Sequence, residues 1–175
     1  KWLDRSTCNC HLIHISTDQV YDGLLEQSED SVKLMNTYAF SKYAGELAAM
    51  KLPSTVLRTN FFGPSHCNSR ASISDWMQQS ICKKNTIQVF DDVFFSPLSM
   101  TTLSKMIELV VRKRPIGVYN LGSREGMSKA DFMFALAGEL DLPTNLMTRI
   151  STAEVSFLKT YRPKDMRMNS SKFER

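Results

Sequence analysis

Two short runs rich in β-branched residues, Leu12-Ile13-His14-Ile15 and Ser54-Thr55-Val56-Leu57-Arg58, flank a helical pattern from Thr37 to Met50. Within that pattern Ala39, Tyr43, Leu47 and Met50 recur on one face, and Pro53 stops it. Mostly apolar runs of this kind read as strands buried in a parallel sheet, and a helix between them is the usual parallel crossover. The same alternation continues. Ser72 and Asp75 form a capping pattern for a helix that ends near Lys83-Lys84, and Thr86 to Phe90 reads as a strand. An amphipathic helix from Thr101 to Arg112 stops before Pro115 and Gly117, and Val118 to Leu121 is a further strand. Ser128 with Asp131 caps a helix running to about Leu140. Polar stretches at 16–30, with its Asp22-Gly23 turn, and at 59–69, with Gly63-Pro64, read as loops. The tail from Asn145 is irregular apart from a short strand near Met147 to Ile150. Alternating strands and helices make the class α/β with a largely parallel sheet.

The chain has 175 residues, 42% of them hydrophobic and 23% charged, which suits a globular protein with a real core. Its net charge of +4 is mild, and the basic clusters Lys83-Lys84 and Arg112-Lys113-Arg114 fall at helix ends, where the dipole favours cations. No basic stripe suggests nucleic acid, and no apolar run approaches the roughly 18 residues of a membrane span. Cys8-Asn9-Cys10, Cys67 and Cys82 lack zinc-site spacing, so no metal is expected and the four read as reduced cytoplasmic thiols.

Three pieces carry chemistry: Ser16-Thr17-Asp18 after the first strand, Tyr38 and Lys42 on the helix, and Arg58-Thr59-Asn60 at the end of the second strand. Ligands of open α/β sheets lie outside the carboxyl ends of the strands, which is where two of these pieces fall. Residues four apart on a helix share a face. A phenol ordinarily titrates near 10, and a neighbouring ammonium favours its ionised form, which makes it a usable acid at neutral pH. A threonine hydroxyl beside it can hold a carbonyl oxygen. Tyr-x-x-x-Lys alone is a weak signal that a half-buried tyrosine and a solvated lysine also explain; order and spacing give it weight.

The run Ser-Thr-Asp-Gln-Val-Tyr-Asp-Gly, then Tyr-x-x-x-Lys-x-x-x-Glu, then Leu-Arg-Thr-Asn-Phe-Phe-Gly-Pro resembles the back half of extended short-chain dehydrogenases, specifically the dTDP-4-dehydrorhamnose reductase family. Asp91 to Leu98, Gly117 to Gly122 and Arg162-Pro163-Lys164 resemble further segments of that family, so the likeness covers nearly the whole chain. It implies a partial Rossmann-like parallel sheet over residues 1–60 and a small α/β substrate-binding part over 61–175, with strand 118–121 returning to the first sheet. It implies reduction of a nucleotide-linked 4-keto-6-deoxy sugar by NADP or NAD in reduced form. Thr17, Tyr38 and Lys42 would be catalytic; Ser16, Tyr38, Lys42, Thr59 and Asn60 would touch the cofactor. Val20, Tyr21, Asn60, Phe61 and Trp76 would touch the substrate. A homodimer is compatible with the resemblance.

Gln19 and Phe61 stand where rhamnose-forming members commonly carry Tyr and Trp, so the sugar is left open. No G-x-G-x-x-G occurs, and the resemblance places Lys1 about where the fifth strand of the dinucleotide fold begins. A chain so composed is expected to bind cofactor poorly and to leave a sheet edge uncovered. An epimerase or dehydratase on the same scaffold, or a non-catalytic regulatory subunit resembling that of methionine adenosyltransferase, are the competing readings. The loop Asp18-Gln19-Val20-Tyr21 lacks the Cys or His of epimerases and the acidic pair of dehydratases.

Overall fold

A computed structural model describes residues 10–67, 69–155 and 161–175. Strand β1 (Leu12–Thr17) leads through a 3-10 turn (Asp18–Val20) and a loop to helix α1 (Thr37–Ala49) and strand β2 (Ser54–Phe62). β1 and β2 are parallel, with Ile13 opposite Thr55 and Thr17 opposite Thr59. Helix α1 begins at Asn36, whose side-chain oxygen accepts the Ala39 amide hydrogen at 2.8 Å, and so satisfies one of the free N–H groups of the first turn.

Side chains of a strand alternate between faces, and here the alternation sorts the two covering helices. Ile13 and Ile15 join Leu57, Leu103, Val110 and Leu121 in an apolar cluster under helix α3 (Met100–Lys113). Ser16 faces the other way, toward α1. Full burial of a side chain such as Leu57 is worth about 1.5–3 kcal/mol over exposure, so this cluster fixes which face each helix takes. Strand β6 (Gly117–Leu121) lies parallel to β2, with Thr59 opposite Leu121. Among the described residues β1 is paired with β2 alone, and it forms an edge of the sheet.

The second cluster is built from strand β3 (Ile87–Phe90), strand β4 (Phe94–Phe95), helix α2 (Ile73–Cys82) and helix α4 (Lys129–Glu139). β3 pairs in parallel with strand β8 (Met147–Ile150), and β4 pairs antiparallel with strand β7 (Met127–Ser128). Phe132 packs edge-on against Phe62 and Phe95, with ring centres 4.8 and 5.4 Å apart. β2 continues to Phe62 because strand β5 (Pro97–Ser99) pairs with Asn60 to Phe62. The sequence reading, which ended this strand at Arg58, missed the partner because a strand of three residues carries no periodicity.

The irregular tail joins the second cluster to a third, smaller one. Met166 is buried in the second cluster and Met168 against Val20 and Tyr21. Backbone bonds tie Gly23 to Asp165, Gln27 to Arg167 and Phe94 to Lys164 at 2.7–3.1 Å. Cys67 and Cys82 are exposed free thiols, but Cys10 is disulfide-bonded and not reduced as expected. Spacing that excludes a zinc knuckle says nothing against a disulfide, which needs only two Cβ atoms at about 3.5–4.5 Å. Cys8 lies outside the described residues. No described helix is long and apolar enough to cross a membrane.

Candidate active site

Behind the sheet runs a buried polar network. Glu46 on α1 and Arg58 on β2 are both buried and form a two-point ion pair, closest at 2.7 Å. Arg58 also donates to the Tyr21 hydroxyl at 2.7 Å and to the Glu29 carbonyl at 2.6 Å. Tyr21 in turn donates to the Asn120 side-chain oxygen at 2.6 Å. Burial pushes the Tyr21 phenol up to about 12, against the pull of Arg58. The Ser16 hydroxyl donates to Glu46.

This network corrects three expectations. Val20 and Tyr21 are fully buried and line no sugar pocket: the 3-10 turn swings them inward against Met168. Ser16, expected at the cofactor, spends its hydroxyl on Glu46, because neighbours on a strand face opposite ways.

At the carboxyl ends of the strands the arrangement differs. Thr17 is buried; its hydroxyl donates to Asp18 Oδ1 at 3.2 Å and accepts the Gln19 amide hydrogen at 3.2 Å. Asp18 Oδ2 accepts from Asn60 Nδ2 at 2.7 Å, so the Asn60 amide group is held by Asp18. Lys42 donates from Nζ to the Ile15 carbonyl at 2.9 Å, which brings its charge to β1 two residues before Thr17. One turn earlier on α1, Tyr38 is 51% exposed. The Thr59 hydroxyl, opposite Thr17 in register, is buried and has no hydrogen-bond partner among the described residues.

Tyr38 faces a cleft of about 520 Å³ whose walls include Gln19, Arg70, Lys129, Tyr161 and Arg162, over an apolar floor of Phe90, Val93 and Met166. Of the expected site residues, Tyr38 alone lines it; Thr17 ends β1, Lys42 is on α1, and Thr59 and Asn60 are in β2. Phe61 and Trp76 are 45% and 44% exposed and are not among the lining residues. Phe61 stands beside Leu98 where β5 joins, and Trp76 sits mid-helix on α2.

Asp18 and Lys129 are electrostatically unusual. Burial raises the Asp18 carboxyl to about 6, and its bonds from Asn60 and Thr17 and the charge of Lys129 only partly offset this. Lys129 is shifted down, first by burial and further by Arg162, while Asp18 works the other way. The sequence gives Lys129, Arg70 and Tyr161 no role, places Asp18 in the chemical cluster without a task of its own, and offers Arg162 only through the family resemblance. A usable signal existed at Lys129: it is the first residue of α4, where the helix dipole disfavours a cation. Among the described residues no group of His, Cys, Asp and Glu could hold a metal ion.

A search of curated proteins finds no match. Among solved structures the chain is similar to dTDP-4-dehydrorhamnose reductase from Bacillus anthracis in complex with NADP, at 24% identity and a TM-score of 0.83, over 94% of this chain and 58% of that one. It is similar to the reductase from Clostridium acetobutylicum at 21% identity and a TM-score of 0.81, over 94% and 58%. A dTDP-glucose 4,6-dehydratase from Bacillus anthracis, in complex with NAD, matches at 19% and 0.73, over 94% and 54%. These likenesses are of fold, and the chain spans less than two thirds of each structure's length. The family model described as the RmlD substrate binding domain matches residues 5–175, and the chain belongs to that family.

Proposed function

We propose that this chain is the catalytic and substrate-binding part of a reductase that uses NADPH or NADH to reduce a nucleotide-linked 4-keto-6-deoxy sugar. The observation that carries the reading is the cleft itself: Tyr38 shares it with three cations, Arg70, Lys129 and Arg162, and its second phenol, Tyr161, is committed to Asp22 at 2.8 Å. Cations in a partly enclosed cleft suit a diphosphate, which they attract and hold by charge-assisted hydrogen bonds. The reductase and dehydratase structures of the same fold, solved with NADP or NAD, support the choice of cofactor.

In this reading Tyr38 gives its phenolic proton to the carbonyl oxygen as a hydride reaches the carbonyl carbon, and the product is an alcohol. Lys42 lies one turn along α1, and its charge stabilises the phenolate left behind. Thr17 supplies a hydroxyl to the carbonyl oxygen. The residues present fit a nicotinamide: Thr59 offers a buried hydroxyl with no partner among the described residues, and Lys42 reaches the Ile15 carbonyl of the adjacent strand β1 from α1. Bound there, the cofactor supplies the hydride. Its diphosphate requires a glycine-rich turn that this sequence lacks.

The test is turnover with reduced cofactor and a panel of 4-keto sugar nucleotides, by the gene product including any residues encoded ahead of Lys1. Tyr38→Phe is expected to lower turnover by about 10²–10⁴-fold while lowering sugar-nucleotide affinity by no more than about fivefold, the worth of the one hydrogen bond it loses to the ketone. Full turnover by Tyr38→Phe, or no turnover of any 4-keto sugar by the unaltered protein, would overturn the reading.

A further inference from the structure

Asp18 sits where the reductase reading needs a hydrogen-bond donor, yet it consumes that donor. Its two oxygens take the Thr17 hydroxyl hydrogen at 3.2 Å and the Asn60 amide hydrogen at 2.7 Å. A threonine hydroxyl has one hydrogen. While that hydrogen points at Asp18 and one lone pair takes the Gln19 N–H, Thr17 can offer a ligand only its remaining lone pair. It cannot donate to a carbonyl oxygen in that state.

We propose that Asp18 is a positioning residue that sets the direction of the Thr17 hydroxyl: ionised, it claims the hydroxyl hydrogen; protonated, it donates to Thr17 and releases that hydrogen to a substrate carbonyl. The proton balance is simple. One proton from solvent binds Oδ1, the Oδ1–H bonds to Thr17 Oγ1, and the threonine hydrogen rotates toward the ligand. Asn60 stays on Oδ2 throughout, so the carboxyl does not move. Lys129, from the first turn of α4, is the charged group that acts on Asp18 among the described residues, and Arg162 acts on Lys129 in turn. Because Lys129 also lines the cleft, an anionic ligand that draws its charge away eases protonation of Asp18. The burial that raises Asp18 to about 6 places the change within reach of neutral pH.

The inference rests on the carbonyl-reduction reading, and two measurements separate the two. The first needs no ligand: carbon-13 titration of the Asp18 carboxyl in the 175-residue chain, assigned by its loss in Asp18→Asn. Its midpoint is expected near pH 6. Lys129→Met removes a favourable charge and moves the midpoint up by about one unit, and Thr17→Val also moves it up, because the ionised form loses a donor. A midpoint near the ordinary value of about 4, or one indifferent to Thr17→Val, overturns the proposal.

The second is calorimetric binding of a dTDP-linked 4-keto-6-deoxyhexose against the matching 4-hydroxy sugar. The preference for the ketone should rise about fivefold, the worth of one hydrogen bond, between pH 8 and pH 5. Asp18→Asn, whose amide nitrogen can only donate to Thr17, should hold that preference high and flat across the range. A flat profile in the unaltered chain overturns the proposal. If neither sugar binds at any pH, the substrate assignment falls and the proposal falls with it, although the carboxyl titration still reports whether Asp18 holds Thr17.

Discussion

Two clusters of nearly the same chemistry lie within a few residues of each other along β1 and β2, one behind the sheet and one at its edge. Behind it, Glu46, Arg58 and Tyr21 form a carboxylate, a cation and a phenol with direct partners for each. At the edge, Asp18, Lys129 and Tyr38 are again a carboxylate, a cation and a phenol, but no ion pair joins the first two and the phenol faces solvent. The difference is in completion. Glu46 meets a guanidinium whose planar fork answers both its oxygens. Asp18 meets two neutral donors and a lysine felt only through its field. A completed network is fixed, and its role is to hold α1, β2 and the loop before α1 together. An incomplete one keeps groups whose protonation and partners can change, which is what a reacting ligand requires.

The comparison breaks first at Glu46. Glu46→Gln leaves the Arg58 charge buried and uncompensated, and removing one partner of a buried pair costs about 3–5 kcal/mol. In a domain whose total stability is about 5–15 kcal/mol, that should show as a large fall in the urea midpoint; a loss below about 1 kcal/mol would mean the network carries no structural weight.

Asp18→Asn should do the opposite. A carboxyl raised in the folded state binds its proton more tightly there than when unfolded. Folding stability therefore falls as pH rises from about 4, the unfolded value, to about 6, the folded one. Above pH 6 the full penalty applies, of the order of 2–3 kcal/mol. Asp18→Asn should flatten that slope in urea titrations across pH 4–7; an unchanged slope would place the titrating group elsewhere.

The two phenols give the next contrast. Tyr21→Phe takes one hydrogen-bond partner each from the buried Arg58 and Asn120 side chains and should cost about 1–3 kcal/mol, with no change in sugar-nucleotide affinity. Tyr38→Phe should leave the thermal midpoint in place, since half of that side chain is already in water. Equal destabilisation by both would erase the distinction between network and cleft.

Both phenols, both carboxylates and both threonines stood in the motifs that made the chain readable, and the limits of that reading follow from this. The helix pattern over Thr37 to Met50 and the strand runs survive because periodicity is local, and the parallel order follows from it. Tyr38 and Lys42 were legible as a pair because four residues is one helical turn. Which of Ser16 and Thr17 turns toward α1 was not, since strand phase depends on where α1 packs. Tyr21 reads like a binding residue and is core because Arg58 and Asn120, 37 and 99 residues away in sequence, close on its hydroxyl. Arg70, Lys129 and Arg162 reach one cleft from three separate segments, and no spacing rule joins them.

The smallest expected effect is also the sharpest on what incompleteness means. The Thr59 hydroxyl is buried and unpartnered among the described residues, whereas the neighbouring Thr55 hydroxyl on the same strand donates to the Pro115 carbonyl. An unmade hydrogen bond at a buried site costs about 1–3 kcal/mol, so Thr59→Val, which keeps the shape and removes the hydroxyl, should stabilise the chain by about 1 kcal/mol. Thr55→Val should destabilise it by a similar amount. If Thr59 is held for a cofactor, the gene product with any residues ahead of Lys1 should lose about fivefold in nicotinamide affinity on Thr59→Val, so that stability and affinity move in opposite directions. A variant that gains stability and keeps its affinity would make that hydroxyl a packing defect, and the cofactor would have to be held by Tyr38 and Lys42 without it.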